Sequence, residues 1–487
     1  MLDGTPLLAA WARRRLARLE SLDPAATQAR LLRRLLQAAR EARFGRAHGF
    51  GRIADVAEFQ RQVPLRRYEA FWDEWWRRDY PVLRDITTLG RPPYVALSSG
   101  TSAGSTKRIP VTAAMMRANR GAAMDALAWH LRHHPRSHPF AGRSFMLGGS
   151  TALEEVGPGV LAGDLSGIAV REIPWMMRPW AWPPERVALM PDWDAKIAAL
   201  AERTPRRAIR VLTGTPAWLL MLLAKMAPDG APPMPALELL IHGGVAWGPY
   251  RDRIAPYLPP GCATREVYPA SEGFVAIADR GDGEGLRLNI DRGVFFEFVP
   301  VAELESPNPT RHWVATIETG IDYAVVMTTC AGLYAYVIGD VVRFVDRAPP
   351  RLLITGRTAW TLSAFGEHLA GHEVVTAVEG AVQGLGEWCC GAELVGHQGR
   401  HCYLLEAEGD AAALATAIDI ALADANDDYA AHRIGGQLLP PEILLLPAGR
   451  FEAWMRRSGR LGGQNKVSRI IAEPSRFAAV RKALTSP

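Results

Sequence analysis

Lysine is scarce in this sequence: of 56 basic residues only Lys107, Lys196, Lys225, Lys466 and Lys482 are not arginine. A chain that carries its surface charge on arginine marks the few positions that keep a compact ammonium, which differs chemically from a planar guanidinium. Cysteine is scarce too. Cys262, Cys330, Cys389, Cys390 and Cys402 are odd in number and show no metal-ligand spacing, which argues against a disulfide framework and fits a reducing cytoplasm. No apolar run reaches the length that crosses a bilayer, and the N-terminus lacks an apolar segment followed by a small-residue cleavage site, so the expectation is a cytoplasmic protein with no membrane partner. Internal repeats and low-complexity segments are also missing. A net charge of +5 and a pI near 9.0 are mild at this length. They help attract an anionic nucleotide and give no sign of a nucleic-acid partner. The arginines that cluster, Arg13 to Arg15 and Arg30, Arg33 and Arg34, fall in a leucine-rich helical pattern and read as solvated helix faces.

What is present begins with a chain of 487 residues, 48% hydrophobic, long enough for a large core and at least two domains. Residues up to about 90 read as helices, broken at Gly45, Gly49 and Gly51. From about 93 to 270, strand-like pieces alternate with helical ones, which predicts a parallel sheet covered by helices, with ligands gathering at the carboxyl ends of its strands. After Gly273 the strands become closely spaced, as in an antiparallel meander or barrel. A boundary near Gly356-Arg357 precedes helix, hairpin, helix, strand and helix, the elements of a small α+β domain. The fold class is therefore α/β, with an N-terminal domain over 1–357 and a C-terminal domain over 358–487.

Four segments carry chemistry. Ser98, Ser99, Gly100, Thr101, Ser102 and Lys107 form a hydroxyl- and glycine-rich run after the strand-like Tyr94 to Leu97, suited to holding phosphate through backbone amides, hydroxyls and one cation. It is not a Walker loop, since no Gly-Lys-Ser/Thr follows. Tyr268-Pro269-Ala270-Ser271-Glu272, preceded by Gly243-Gly244, offers an aromatic ring, a hydroxyl and a carboxylate that could stack a base, bind phosphate and hold Mg2+. In Gly339-Asp340 a carboxylate after glycine can accept both ribose hydroxyls. Lys466 stands in the glycine-containing run Gly462-Gly463-Gln464-Asn465-Lys466. Each has a plainer reading: a surface turn for the first, a helix N-terminal carboxylate for Glu272, a turn residue for Asp340, a solvated charge for Lys466.

The order of these motifs, with Gly356-Arg357 between the third and fourth, resembles the adenylate-forming superfamily of firefly luciferase and the acyl-CoA synthetases. The spacing Gly100-Thr-Ser-Ala-Gly104, the missing proline before Lys107, the sequence Tyr268 to Glu272, Val63-Pro64-Leu65, Leu362 to Glu367 and Gly449-Arg450-Phe451 are most similar to the plant auxin-responsive acyl-acid amido synthetases and their bacterial relatives. The resemblance runs from about 30 to 470. It implies a large N-terminal region of α/β layers plus a β-barrel and a small mobile C-terminal domain. It implies ATP and Mg2+ as cofactors and, as partners, a small-molecule carboxylic acid and an amine, an amino acid in the first instance. Ser98, Ser99, Gly100, Thr101, Ser102 and Lys107 would meet the ATP phosphates, Gly243, Gly244 and Tyr268 the adenine, Ser271 the α-phosphate and Asp340 the ribose. Arg357 would complete the ATP site, Glu272 would hold Mg2+, and Lys466 would be the catalytic lysine of the mobile domain. Where the superfamily usually has an Asp or Lys hinge, two residues after Gly-Arg, this chain has Ala359.

Thr215 and Trp218 fall in the region that resembles the acyl-acid pocket. Trp175, Met176, Met177, Trp180 and Trp182 either border such a pocket or pack in a core. His130, His133, His134 and His138 read as a polar connector rather than a metal cluster. Two other functions fit the same motifs, an acyl-CoA synthetase and a non-catalytic nucleotide or acyl-adenylate binder.

Overall fold

The structure, a computed structural model, describes residues 2–486 apart from 100–105, 150–152, 191, 206, 246, 282, 358–360, 363–368, 396–397, 435–437, 459–466 and 472. Helices Thr5–Glu20 and Pro24–Ala39 open the chain, each with proline in its first turn, where the missing N–H costs nothing. Leu8, Leu16 and Leu19, and Leu32, Leu35 and Leu36, are buried at helical spacing. Arg13, Arg14, Arg30, Arg33 and Arg34 face solvent as expected. Arg15 does not. It is buried and forks onto Asp125 at 2.8 Å and Asp291 at 2.6 Å, while Arg292 reaches the same Asp125 at 2.6 Å. The helical pattern placed Arg15 on the outer face because the partner carboxylates lie far away in sequence. Gly45 is another correction: it sits inside the short helix Arg43–Ala47 rather than breaking one.

The strands run β1 (Tyr94–Ser99), β2 (Thr106–Val111), β3 (Arg143–Leu147), β4 (Glu154–Gly157), β5 (Val160–Gly163), β6 (Ala181–Trp182), β7 (Ile209–Gly214), β8 (Leu239–Gly243) and β9 (Ala263–Ala270). They continue as β10 (Gly273–Ile277), β11 (Leu286–Leu288), β12 (Val294–Pro300), β13 (His312–Trp313), β14 (Asp322–Thr329), β15 (Tyr336–Arg347) and β16 (Pro350–Arg357). Twelve of them form one mixed sheet in the order β13-β12-β14-β15-β16-β11-β10-β9-β8-β7-β3-β6. From β9 through β8, β7 and β3 to β6 the pairing is parallel, and from β9 towards β13 it is antiparallel. The closely spaced strands after Gly273 thus continue the sheet built by the alternating region.

Tyr94 to Leu97 belongs elsewhere: β1 lies in a separate sheet of order β2-β1-β5-β4, pairing antiparallel with β2. Alternation alone cannot assign a strand to one of two sheets. The C-terminal domain adds β17 (Thr361–Leu362), β18 (Leu369–Ala370), β19 (Trp388–Val395), β20 (Gln398–Glu406), β21 (Glu442–Leu446) and β22 (Ile470–Ile471). Its four-stranded sheet carries helices Gly371–Ala381 and Ala411–Ala425 over a core of Trp388, Tyr403, Val378 and Ile418, separate from the cores of the large sheet. No helix among the described residues is long and apolar enough to cross a membrane.

Candidate active site

The large sheet and the C-terminal domain enclose a cavity of about 710 Å³, and most of the motif residues converge on it. Ser98 and Lys107 enter from the small sheet, where they pair directly across β1 and β2. The expected loop is narrower than the motif: Ser98 and Ser99 end one strand, Thr106 and Lys107 open the next, and Gly100, Thr101 and Ser102 lie outside the described residues. The strand begun by the apolar Tyr94 to Leu97 continues two residues further. Lys107 Nζ stands 5.9 Å from the ring centre of Tyr68.

Ser271 and Glu272 form the two-residue turn of the β9–β10 hairpin, in which Ala270 faces Gly273. Hairpin tips are usually solvated, yet Glu272 is only 7% exposed. The Tyr336 hydroxyl donates to its Oε1 at 3.4 Å. Burial, then Glu272 itself, pushes the Tyr336 hydroxyl well above its ordinary pKa, so it stays a donor. Glu272 is thus no helix N-terminal carboxylate. A side chain on Gly243 would collide with the carbonyl oxygen of Val267 on β9, so this glycine keeps β8 and β9 in register, and it does not face the cavity. Gly244, with φ +86°, turns the chain into the cavity wall.

Asp340 lies within β15 rather than at a strand end or in a turn. Gly339, at φ +93°, precedes it and a register shift against β16 follows at Val341/Val342, a bulge that re-aims side chains. Tyr268, inside β9, donates its hydroxyl to Asp340 Oδ2 at 2.5 Å. Ring and carboxylate are 72 residues apart in sequence and touch at one wall of the cavity. Arg357 ends β16 opposite Asp340 in the register. Thr215 and Trp218, at the start of helix Pro216–Met226 beyond β7, line the same cavity.

Lys466 lies outside the described residues, while Val467, Ser468 and Arg469 beyond it line the cavity. Sequence reading missed this side of the site. Glu387 Oε2 accepts from Arg469 Nη1 at 2.8 Å, and its Oε1 accepts from the hydroxyl of Tyr250 on helix Gly248–Ile254 of the large region. A Glu-Arg-Tyr pairing spread over 220 residues leaves no local pattern to find.

The chain matches the GH3 family N-terminal domain over residues 15–204, the central domain over 288–357 and the C-terminal domain over 372–475. It belongs to the GH3 family. Among curated proteins, jasmonoyl-L-amino acid synthetase GH3.5 of Oryza sativa subsp. japonica is 28% identical over 205 residues, 36% of this chain and 35% of that protein. That alignment therefore spans about a third of the curated relative's length. The GH3.15 acyl acid amido synthetase structure superposes with a TM-score of 0.78 at 15% identity over 99% of this chain and 96% of that one. A 2-hydroxyisobutyryl-CoA ligase gives 0.60 at 15% identity over 94% and 92%. The GH3 chain thus has the adenylate-forming ligase fold.

The other sequence-singled residues fall away from this GH3 site. Trp175, 78% exposed, and Met176 lie on the surface in a short 3-10 helix, neither bordering the cavity nor packed in a core, whereas Met177 and Trp180 pack against a core and Trp182 is buried in one. The histidines end helix Ala113–His133 or follow it, and three have separate partners: His130 with Ser137, His133 with the carbonyl of Asp279, His138 with Asp3, each at 2.8 Å.

Proposed function

We propose that this GH3 protein is an ATP-dependent acyl-acid amido synthetase, a ligase that activates a carboxylic acid as acyl-AMP and passes the acyl group to an amine, most simply an amino acid. The observation that carries the reading is the convergence of Ser98, Lys107, Tyr268, Ser271, Glu272 and Asp340 on one cavity together with Thr215, Trp218 and the Val467–Arg469 segment. The division near residue 357 is supported by the separate C-terminal core and by family matches that stop at 357 and resume at 372. Five free cysteines are in keeping with a cytoplasmic enzyme.

The residues fit the nucleotide. The bond from the Tyr268 hydroxyl to Asp340 holds ring and carboxylate side by side, the ring for stacking on adenine and the carboxylate as an acceptor for ribose hydroxyls. Gly244 lets the adenine edge approach the backbone, Ser98, Ser99 and Lys107 meet the phosphates with Gly100, Thr101 and Ser102, Ser271 reaches the α-phosphate, and Arg357 closes the ATP site. The residues fit Mg2+ as well: this ion is typically held by one or two carboxylates plus substrate phosphates, and Glu272 is a buried carboxylate steadied on one oxygen by Tyr336. When bound, the ion would neutralise charge on the phosphate oxygens.

Acid and ATP repel as they meet. Lys466 would supply the cation at the carboxylate and α-phosphate while a carboxylate oxygen bonds to the α-phosphorus and pyrophosphate leaves. Thr215 and Trp218 would orient the acid, which removes part of the entropic barrier. The amine nitrogen then bonds to the acyl carbon, gives up a proton, and AMP departs. The test is AMP release: it should need both an acid and an amine and yield an amide by mass spectrometry. Release driven by coenzyme A in place of the amine would make the enzyme an acyl-CoA synthetase instead.

A further inference from the structure

We infer that Lys196 is a positioning residue for the carboxylic-acid end of the cavity, a role that rests on the acid-binding reading of Thr215 and Trp218. Lys196 is 1% exposed, on helix Trp193–Arg203, which Asp192 caps. Its ammonium donates to the carbonyls of Gly148 at 3.0 Å, Gly149 at 2.6 Å and Ala188 at 2.6 Å. All three N–H bonds are used. A buried charge is costly, and a helix held only by packing would have an apolar residue here.

What the ammonium grips is the end of a strand. Gly148 and Gly149 directly follow β3, whose Leu147 pairs with Gly214 at the end of β7, so the two glycines and Thr215 leave adjacent parallel strands at the same edge. From the other side Ser166 Oγ accepts the Gly149 N–H at 3.0 Å and donates to Asp164 Oδ1 at 2.7 Å. A side chain on Gly148 would collide with that hydroxyl, so glycine is required for the grip. A second route leads to the same place: Lys196 Nζ lies 5.7 Å from the ring centre of Trp193, whose ring tilts against Trp218 at 5.5 Å. Trp218 lines the cavity. Lys196 therefore braces both the backbone beside Thr215 and the tryptophan behind the acid.

Arginine, abundant elsewhere in the chain, would not serve. Three carbonyls converging on one nitrogen suit a compact ammonium, whereas a guanidinium spreads its donors in a plane. The residue touches no reacting atom, so its loss should appear as a weaker hold on the acid alone.

The experiment measures acid-dependent ATP–pyrophosphate exchange with whichever member of a panel of aryl and aliphatic monocarboxylates the wild-type enzyme uses fastest. Lys196→Met should raise KM for that acid about tenfold or more, with KM for ATP within about twofold. Ser166→Ala, a milder loss at the same glycine, should raise it about threefold, and Trp218→Ala should raise it as well. If Trp218→Ala shifts the acid KM while Lys196→Met and Ser166→Ala leave it unchanged, or move the acid and ATP values together, the inference is wrong and the acid-binding reading stands. An unchanged acid KM in Trp218→Ala, or a wild-type enzyme that uses no acid, defeats both. Should Lys196→Met not fold, Ser166→Ala decides by the same criterion.

Discussion

Asp340 and Tyr268 make the most specific contact in the site, a 2.5 Å hydrogen bond between two residues assigned to the same nucleotide. Asp340→Ala should weaken ATP binding by about 2 to 5 kcal/mol, the usual cost of removing a charged partner from buried polar groups, measured by nucleotide titration. Tyr268→Phe keeps the ring and loses only the bond, so a smaller loss is expected; an equal loss in both variants would mean the hydroxyl, not the carboxylate, meets the ribose. A second prediction concerns stability. Burial, helped by His134 and Arg265, pushes His130 down to about 3 from an ordinary 6.5. An unfolded chain takes up that proton near 6.5 and the folded one does not, so the stability is whole above pH 6.5 and is lost as pH falls towards 3. The slope is at most about 1.4 kcal/mol per pH unit. His130→Gln should flatten the acid limb of a melting-temperature profile between pH 6.5 and 4, and an unchanged limb would assign acid sensitivity elsewhere.

Elements are joined by contacts that cross long stretches of sequence. Asp125, on helix Ala113–His133, is shared by Arg15 and Arg292 with a side chain 1% exposed. Asp125→Ala would leave two arginines without it and should cost about 3 to 5 kcal/mol in denaturant unfolding. A loss below 1 kcal/mol would show that water takes its place. Gly243→Ala should be severe for a different reason, the collision with β9 backbone, and should lower soluble yield rather than nucleotide affinity in whatever folds. These elements also show what the sequence made legible. The strand–helix alternation and the helix, hairpin, helix, strand and helix expected after Gly356-Arg357 stand where periodicity and turn residues put them, because those signals act within a few residues, whereas helices Asp427–Ile434 and Pro474–Thr485 went unread. Arg15 on its buried pair, β1 in its own sheet, and Glu387 with Arg469 were out of reach, since each depends on a partner set by the tertiary fold. Within the candidate site, residue types and order singled out Tyr268, Glu272 and Asp340, which line one cavity, and the structure gives them other settings than expected: a hairpin tip for Glu272, a strand interior for Asp340.

At the scale of the whole molecule, polar contacts among the described residues bridge the large region and the C-terminal domain: Tyr250 to Glu387 on the cavity wall, and Arg456 to Asp194. Glu387 is also held by Arg469, three residues beyond Lys466 in sequence, so the bridge ties the segment after Lys466 to the large region. Tyr250→Phe should slow adenylation several-fold and leave amide formation from a supplied acyl adenylate near its wild-type rate. Loss of both would make Tyr250 a general stabiliser. Lys466→Ala should divide the two half-reactions in the same sense and more deeply, by about 10² to 10³ in adenylation. Both depend on the protein making an acyl adenylate at all. The direct measurement is exchange of labelled pyrophosphate into ATP, with Mg2+ and a carboxylic-acid panel and no amine present. The account predicts exchange that requires one of the acids. Cleavage of ATP to ADP with no acid-dependent exchange would contradict it.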